Sequence, residues 1–304
     1  MEFMTMRDGK RVAVRYWEDV REPRAAVVMV HGMCEYISRY DDFCSFLNKN
    51  GYYVMGMDNR SYGDTDPDAL GNGYAGMFED TVDDIKQEVD EAKKRWNTDT
   101  VFVIGHSYGS LLTQRFIEKY HADVAGAILC GSTLQSGVVL SAGKFLADRK
   151  YKKHRDEPGE AFAKLTFKAY DKKLKDGVNG WINRDKAAVE KYNADPRCNF
   201  LASNGFYKSM FDGLKTTNKE RGKVPSDFKL MIASGGDDGV GGYGKLVKKL
   251  RNAYRRKCGL EPRFKLYEGG RHEILNELNK GEVYEDFLGF LDDCTDPAGN
   301  ADEN

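Results

Sequence analysis

The residue with the clearest chemical setting is a serine. In Thr100-Val-Phe-Val-Ile-Gly105-His106-Ser107-Tyr108-Gly109, a G-x-S-x-G follows an apolar β-run and precedes a helical pattern, the context of a nucleophile elbow. The strand-to-helix turn forces Ser107 into a strained conformation, so positions 105 and 109 must be small where neighbouring chain packs close. Its hydroxyl is lifted above the strand end, facing the N–H groups that open the helix. An ordinary glycine-rich turn is the competing reading, and the flanking strand and helix patterns weigh against it.

A serine hydroxyl needs a base to take its proton, and the chain holds 5 histidines. His31 and His106 belong to strand-end motifs, His121 follows a helical pattern and His154 lies in a basic stretch. His272, in Tyr267-Glu-Gly-Gly-Arg-His272-Glu-Ile-Leu-Asn-Glu277, falls after the last strand pattern, at the carboxyl edge where a doubly wound sheet collects its site. The His272-Glu273 pair does not make a zinc motif, because position 276 is Asn where HExxH needs a second His. An acid must hold the base's tautomer, and the preceding strand pattern ends in Ser234-Gly-Gly-Asp237-Asp238-Gly-Val240. Two adjacent carboxylates cannot both meet one imidazole; Asp238 is the choice and Asp237 the alternative. The order Ser, Asp, His is that of a strand–turn–helix elbow on such a sheet. Backbone N–H groups of Met33, in His31-Gly32-Met33, and of Tyr108 would meet a tetrahedral oxyanion. This chemistry requires no metal and no organic cofactor.

The elements that must position these residues are legible as alternating patterns. Glu2 to Met6 and Arg11 to Trp17 flank Asp8-Gly9 and read as an edge hairpin. Apolar runs at 25–30, 53–57, 100–104, 124–130, 228–234 and 263–267 read as strands buried on both faces. Between them, 40–48, 80–96, 108–120, 244–256 and 282–293 carry apolar residues at three- and four-residue steps. Strand alternating with helix means α/β, with a mostly parallel, doubly wound sheet. From about 133 to 224 helical patterns continue without a β-run, which predicts an inserted helical cap. The expected organisation is a core of 1–132 and 225–294, a cap of 133–224 and a frayed polar tail of 295–304.

Composition excludes other classes. With 304 residues, 40% hydrophobic and 31% charged, the chain buries a sizeable core. Its 47 Lys+Arg against 48 Asp+Glu leave a net charge of -1, too balanced for a dedicated nucleic-acid binder. The balance is local in neither direction: Lys144 to Lys191 holds 14 bases against 8 acids, and Asp58 to Glu91 holds 11 acids against 2 bases. A basic cap is ordinarily a solvated face; a transient contact with an anionic membrane surface is the alternative. The 6 cysteines are scattered without CxxC pairing, which suits a reducing compartment. The opening MEFMTMRDGKRVAV lacks the apolar stretch of a signal peptide, so a cytoplasmic location is expected. Cys34 follows Met33 and is either a buried, inert thiol or a target for thiol reagents at the pocket mouth.

Together, His31-Gly-Met-Cys-Glu35-Tyr-Ile-Ser-Arg39-Tyr40, Asp58-Asn-Arg60-Ser-Tyr-Gly63, Gly105-His-Ser107-Tyr-Gly109, Gly235-Gly-Asp-Asp238-Gly-Val240 and Arg271-His272-Glu-Ile-Leu-Asn-Glu277 resemble the α/β-hydrolase fold, and more narrowly its monoglyceride-lipase and lysophospholipase-like branch. The resemblance spans roughly residues 10 to 292, and Trp181 to Asp185 through Asp195-Pro196 looks like the cap of bacterial members. It implies Ser107 as nucleophile, Asp238 as acid, His272 as base, and Met33 and Tyr108 as oxyanion amides. Tyr36 stands where His is common, and Gly239 where Pro often follows the acid. Glu35, Arg39 and Tyr36 would line a polar head-group site, with a buried Glu35–Arg39 ion pair as the alternative role. The implied activity is hydrolysis of carboxylic esters, of monoacylglycerol or lysophospholipid type, on a small-molecule or lipid substrate. An aminopeptidase on the same residues and a non-catalytic ligand receptor on the same fold are the alternatives. Gly239-Val-Gly241-Gly-Tyr-Gly244 is a literal G-x-G-x-x-G, but a dinucleotide site belongs in the first β–α unit with several strands to come. These glycines read as a turn beside the acid.

Overall fold

The computed structural model describes residues 1–135, 137–165 and 167–295. Eight strands form one sheet: β1 (Glu2–Thr5), β2 (Arg11–Trp17), β3 (Ala25–Val30), β4 (Tyr52–Met57), β5 (Val101–His106), β6 (Gly126–Cys130), β7 (Leu230–Gly235) and β8 (Arg263–Tyr267). Their order is β1-β2-β4-β3-β5-β6-β7-β8. The first two strands pair antiparallel, β2 joins β4 antiparallel, and from β4 to β8 every pairing is parallel. This is the mostly parallel, doubly wound α/β sheet that the alternating pattern implies.

The side-chain period of two sorts the central strands between two cores. Val28, Val103, Leu129 and Ile232 face one side, where Val82, Ile85 and Val89 of α2 (Met77–Trp96), Leu112 and Phe116 of α3 (Tyr108–Tyr120) and Leu250 of α9 (Lys245–Cys258) cover them. Val27, Met29, Phe102, Ile104 and Ile128 face the other, under Phe43 and Leu47 of α1 (Asp41–Lys49) and Phe287 and Leu291 of α10 (Lys280–Thr295). Each fully buried aliphatic or aromatic side chain contributes roughly 1.5–3 kcal/mol. Sandwiched in this way, the central strands run to carboxyl ends on one edge of the sheet, and Ser107, Asp238 and His272 lie just beyond β5, β7 and β8 there.

Between β6 and β7 come α4 (Gly137–His154), α5 (Glu160–Leu165), α6 (Phe167–Leu174), α7 (Lys186–Ala194) and α8 (Asn204–Glu220). No strand interrupts them among the described residues. The inserted segment is not merely set on top: Phe206 of α8 packs at 4.9 Å on the ring of Tyr108, and Ser209 Oγ accepts a hydrogen bond from the Phe78 N–H at the start of α2, 2.8 Å.

The boundaries differ where local turn chemistry intervenes. Helix α2 begins three residues before Asp80, at Met77, because left-handed Gly76 turns the chain into it. Strand β7 begins at Leu230, since Phe228 donates its N–H to the Pro225 carbonyl in a turn. Helix α10 extends through Thr295; the remainder of the segment read as a frayed tail lies outside the described residues. No helix among the described residues is long and apolar enough to cross a membrane.

Candidate active site

Ser107 occupies the sharp corner between β5 and α3 with φ 51° and ψ -117°, a strained setting for a non-glycine residue that costs on the order of 1–3 kcal/mol. The surroundings hold it there. Its N–H donates to the Cys130 carbonyl at 2.9 Å, and its carbonyl accepts from the Ser110 N–H and hydroxyl at 2.9 and 2.6 Å. Small flanks are mandatory: a Cβ on Gly109 would stand 2.2 Å from the Val30 carbonyl oxygen, and one on Gly105 would stand 2.4 Å from the Gly109 carbonyl oxygen.

The hydroxyl this corner presents meets His272. Ser107 Oγ lies 2.8 Å from His272 Nε2, and His272 Nδ1 lies 3.0 Å from Asp238 Oδ2. Asp238 is completely buried; its Oδ2 also accepts from Ser234 Oγ at 2.9 Å and its Oδ1 from the Val240 N–H at 2.8 Å. Burial alone would raise its pKa, but the charge and hydrogen bond of His272, with those two donors, outweigh it and hold the carboxyl below its ordinary value. Asp237 is exposed, and its backbone N–H donates to the Gly270 carbonyl at 2.9 Å. The geometry therefore separates the two adjacent carboxylates that the sequence left as alternatives.

The loop after β3 comes against the serine, since a Cβ on Gly32 would be 3.1 Å from Ser107 Cβ. Met33 follows on that loop, half-buried. Tyr108 opens α3, where the first N–H groups have no partner within the helix. Both residues named for oxyanion contacts thus flank the serine.

The three residues named for a polar head group are placed otherwise. Arg39 donates to Glu35 Oε2 at 2.5 Å and forks onto both oxygens of Glu273 at 2.7 and 2.8 Å, so Glu35 and Arg39 adopt the buried ion pair of the two expectations. Tyr36 donates its hydroxyl to Asp195 Oδ2 at 2.6 Å and accepts from Arg197 at 2.8 Å, tying this loop to the end of α7. Cys34 is buried, its thiol donating to the Phe200 carbonyl at 3.2 Å, and burial pushes its pKa well up. The glycine-rich stretch 239–244 forms a turn around the acid, with the Tyr243 N–H donating to the Asp238 carbonyl at 2.7 Å.

Sequence reasoning missed three neighbours. Trp181 covers His272 with ring centroids 5.3 Å apart. Glu273 supplies the outer half of the Arg39 clamp, and its own N–H donates to the Ile182 carbonyl at 2.8 Å. Glu277 accepts from the N–H groups of Arg184 and Arg271, both at 3.0 Å, which braces the His272 loop. No spacing in the sequence points to these contacts, because their partners come from distant segments of the chain.

With this geometry in place, the sequence pattern of the family described as serine aminopeptidase, S33, matches residues 21–279. Monoglyceride lipase of Homo sapiens is 24% identical over 304 residues, 97% of this chain and 91% of that protein. A phospholipase of Bacillus subtilis is 24% identical over 278 residues, 89% of this chain and 96% of that one. Among solved structures, a highly thermostable carboxyl esterase from Bacillus coagulans, in complex with glycerol, superposes with a TM-score of 0.87 at 23% identity, covering 97% of this chain and 98% of that chain.

Proposed function

The chain belongs to the serine aminopeptidase S33 family of hydrolases, and from that premise we propose that it is a serine hydrolase cleaving lipid carboxylic esters of monoacylglycerol or lysophospholipid type. The observation that carries the reading is the relay Ser107 Oγ–His272 Nε2 at 2.8 Å and His272 Nδ1–Asp238 Oδ2 at 3.0 Å. In this reading Ser107 attacks the ester carbonyl while His272 takes its proton, and Asp238 keeps the imidazole in the Nδ1–H tautomer. The N–H groups of Met33 and Tyr108 meet the developing oxyanion. His272 then returns the proton to the leaving alcohol, and water releases the acid from Ser107 by the reverse sequence.

Ester rather than peptide cleavage is supported by the electrostatics around His272. An aminopeptidase needs a free carboxylate for the substrate's α-ammonium, but Glu35 and Glu273 are both committed to Arg39. The relatives named monoglyceride lipase and phospholipase point the same way. Residues 133–224 act in this reading as a cap over the site. Exposed Val138, Phe145 and Leu165 lie on it, with Arg149 over the Phe145 ring and exposed Lys150 and Lys153 on the same helix, a combination suited to a transient contact with an anionic lipid surface.

The test is a panel of short-chain esters, long-chain monoacylglycerols, lysophospholipids and aminoacyl amides, with Ser107→Ala as the control. Turnover of the lipid esters that disappears in the variant is expected. Turnover confined to the aminoacyl amides would replace the proposal with a peptidase.

A further inference from the structure

His106, the variable residue of the G-x-S-x-G, points away from the serine's reaction face into a buried polar cluster that the proposed chemistry does not use. It is 2% exposed, as are Glu35 and Tyr40. Its Nδ1 lies 2.8 Å from Tyr40 Oη and 3.2 Å from Glu35 Oε1. Its Nε2 lies 3.2 Å from the backbone carbonyl oxygen of His272.

The proton positions follow from which groups can donate. Tyr40 Oη sits 2.7 Å from Glu35 Oε1, a contact that consumes its single hydrogen, because a carboxylate only accepts. Burial and the Glu35 charge both push the Tyr40 pKa far up, so the hydroxyl keeps that hydrogen. Tyr40 Oη therefore faces His106 with a lone pair, and Nδ1 must carry a proton. The His272 carbonyl is also an acceptor only, so Nε2 must carry one as well. A neutral imidazole in either tautomer would set a nitrogen lone pair against an oxygen lone pair inside a low-dielectric pocket.

On the assignment of Ser107 and His272 to catalysis, we infer that His106 is held as an imidazolium that clamps the backbone of the catalytic histidine to the oxyanion loop through Glu35. Both ends of the clamp reach the site. Nε2–H holds the carbonyl of His272 itself, and Glu35 Oε1 accepts the Gly32 N–H at 2.6 Å, one residue before Met33. His106 is thus a positioning residue, acting on the base and the oxyanion loop without touching substrate.

The charges around it balance. Glu35 and Glu273 face Arg39 and His106, two of each sign. His31, at the end of β3, stays neutral, its Nδ1–H donating to the Gly32 carbonyl at 2.7 Å and its Nε2 accepting the Asn59 N–H at 2.8 Å. From β6 the neighbour is the buried Cys130, whose thiol burial keeps protonated, and from the last loop it is His272, 5.0 Å away between ring centroids. Burial disfavours the His106 cation, but the hydrogen bond and charge of Glu35, then Glu273 and the His272 carbonyl, raise its pKa above the ordinary imidazole value. The two acceptors and this direction agree: the clamp is complete below that raised value and opens as pH rises through it.

The experiment uses the full-length protein labelled with ¹⁵N at histidine. Imidazole nitrogen shifts at neutral pH should show both nitrogens of one buried histidine protonated, with the set assigned by its loss in His106→Asn. Glu35→Gln should move the deprotonation of His106 to lower pH and carry the alkaline limb of kcat with it. At neutral pH that variant should lose kcat by on the order of 10²-fold, the scale of a small misplacement of catalytic groups, with KM unchanged. Should either variant fail to fold, titration of the wild-type imidazole resonances decides, with the His106 set assigned by its through-space contact with the Tyr40 ring. One unprotonated nitrogen on His106 at neutral pH, or an alkaline limb that Glu35→Gln leaves in place, overturns the inference. Covalent labelling of Ser107 by a fluorophosphonate, measured alongside, keeps the two failures apart: its absence removes the hydrolase reading, whereas a singly protonated His106 in a protein that labels removes only the clamp.

Discussion

Replacing Asp238 by Asn exchanges one carboxylate oxygen for an amide NH₂ and, on this structure, reverses the tautomer of His272, the base of the proposed reaction. Oδ2 accepts from His272 Nδ1 and Ser234 Oγ, and Oδ1 accepts from the Val240 N–H. An amide has one oxygen. If its NH₂ takes the Oδ1 position it confronts the Val240 N–H, which cannot change; if it takes the Oδ2 position it confronts His272 Nδ1–H, and the imidazole can move its proton. The second arrangement wins, so the proton goes to Nε2 and faces Ser107, where a lone pair is needed. The expected loss is on the order of 10⁴ in kcat, the size typical of a wrong-tautomer triad, or about 5.5 kcal/mol at roughly 1.4 kcal/mol per decade. Asp237→Asn should cost less than about tenfold, because that side chain is exposed and a surface substitution perturbs little. Steady-state hydrolysis of a soluble chromogenic ester measures both. A reversed order, or an Asp238→Asn enzyme within tenfold of wild type, would refute the tautomer argument.

Gly109→Ala should unfold at lower urea, losing roughly 1–3 kcal/mol or more, since its Cβ would meet backbone oxygens of Val30 and His31 at 2.2 and 2.6 Å; an unchanged midpoint would contradict the packing described for the elbow. Cys34, buried and with its thiol pKa pushed up, should remain unmodified by iodoacetamide in active enzyme and react after denaturation, and a native adduct found by mass spectrometry would show that the loop opens. Raising salt from about 0.05 to 0.5 M shortens the Debye length from roughly 14 to 4 Å, so kcat/KM on anionic vesicles should fall several-fold while hydrolysis of a neutral soluble ester stays flat. Equal responses would assign the cap's basic excess to solvation.

Much of this architecture could be read because burial on both sheet faces leaves a continuous apolar run, as at Ala25–Val30, whose bounds match the observed strand; Arg263–Tyr267 has the expected bounds but is the half-exposed edge strand, with Arg263 and Lys265 alternating with apolar residues, and is not buried on both faces. The helix α3 was equally legible, since an elbow fixes where it starts. Starts set by a left-handed residue, as at Gly76 before α2, leave no hydrophobic signature. The same holds inside the site. Ser107 and His272 stand out by residue type and neighbourhood, but choosing between Asp237 and Asp238 needs the fold, which buries Asp238 against His272 and leaves Asp237 exposed. The partner of Arg39 across the fold is Glu273, 234 positions away in the chain, and no spacing rule reaches that far. His106 was visible as a strand-end residue, but the two acceptors that define its protonation come from separate loops.

The central claim is that Ser107 is a nucleophile activated by His272, and covalent capture tests it most directly. Wild-type protein treated with a fluorophosphonate should gain one phosphonyl group, located at Ser107 by peptide mass spectrometry. His272→Ala should label far more slowly, because the hydroxyl 2.8 Å from Nε2 loses the group that takes its proton. Labelling at another residue, or an equal rate in the two proteins, would contradict the account.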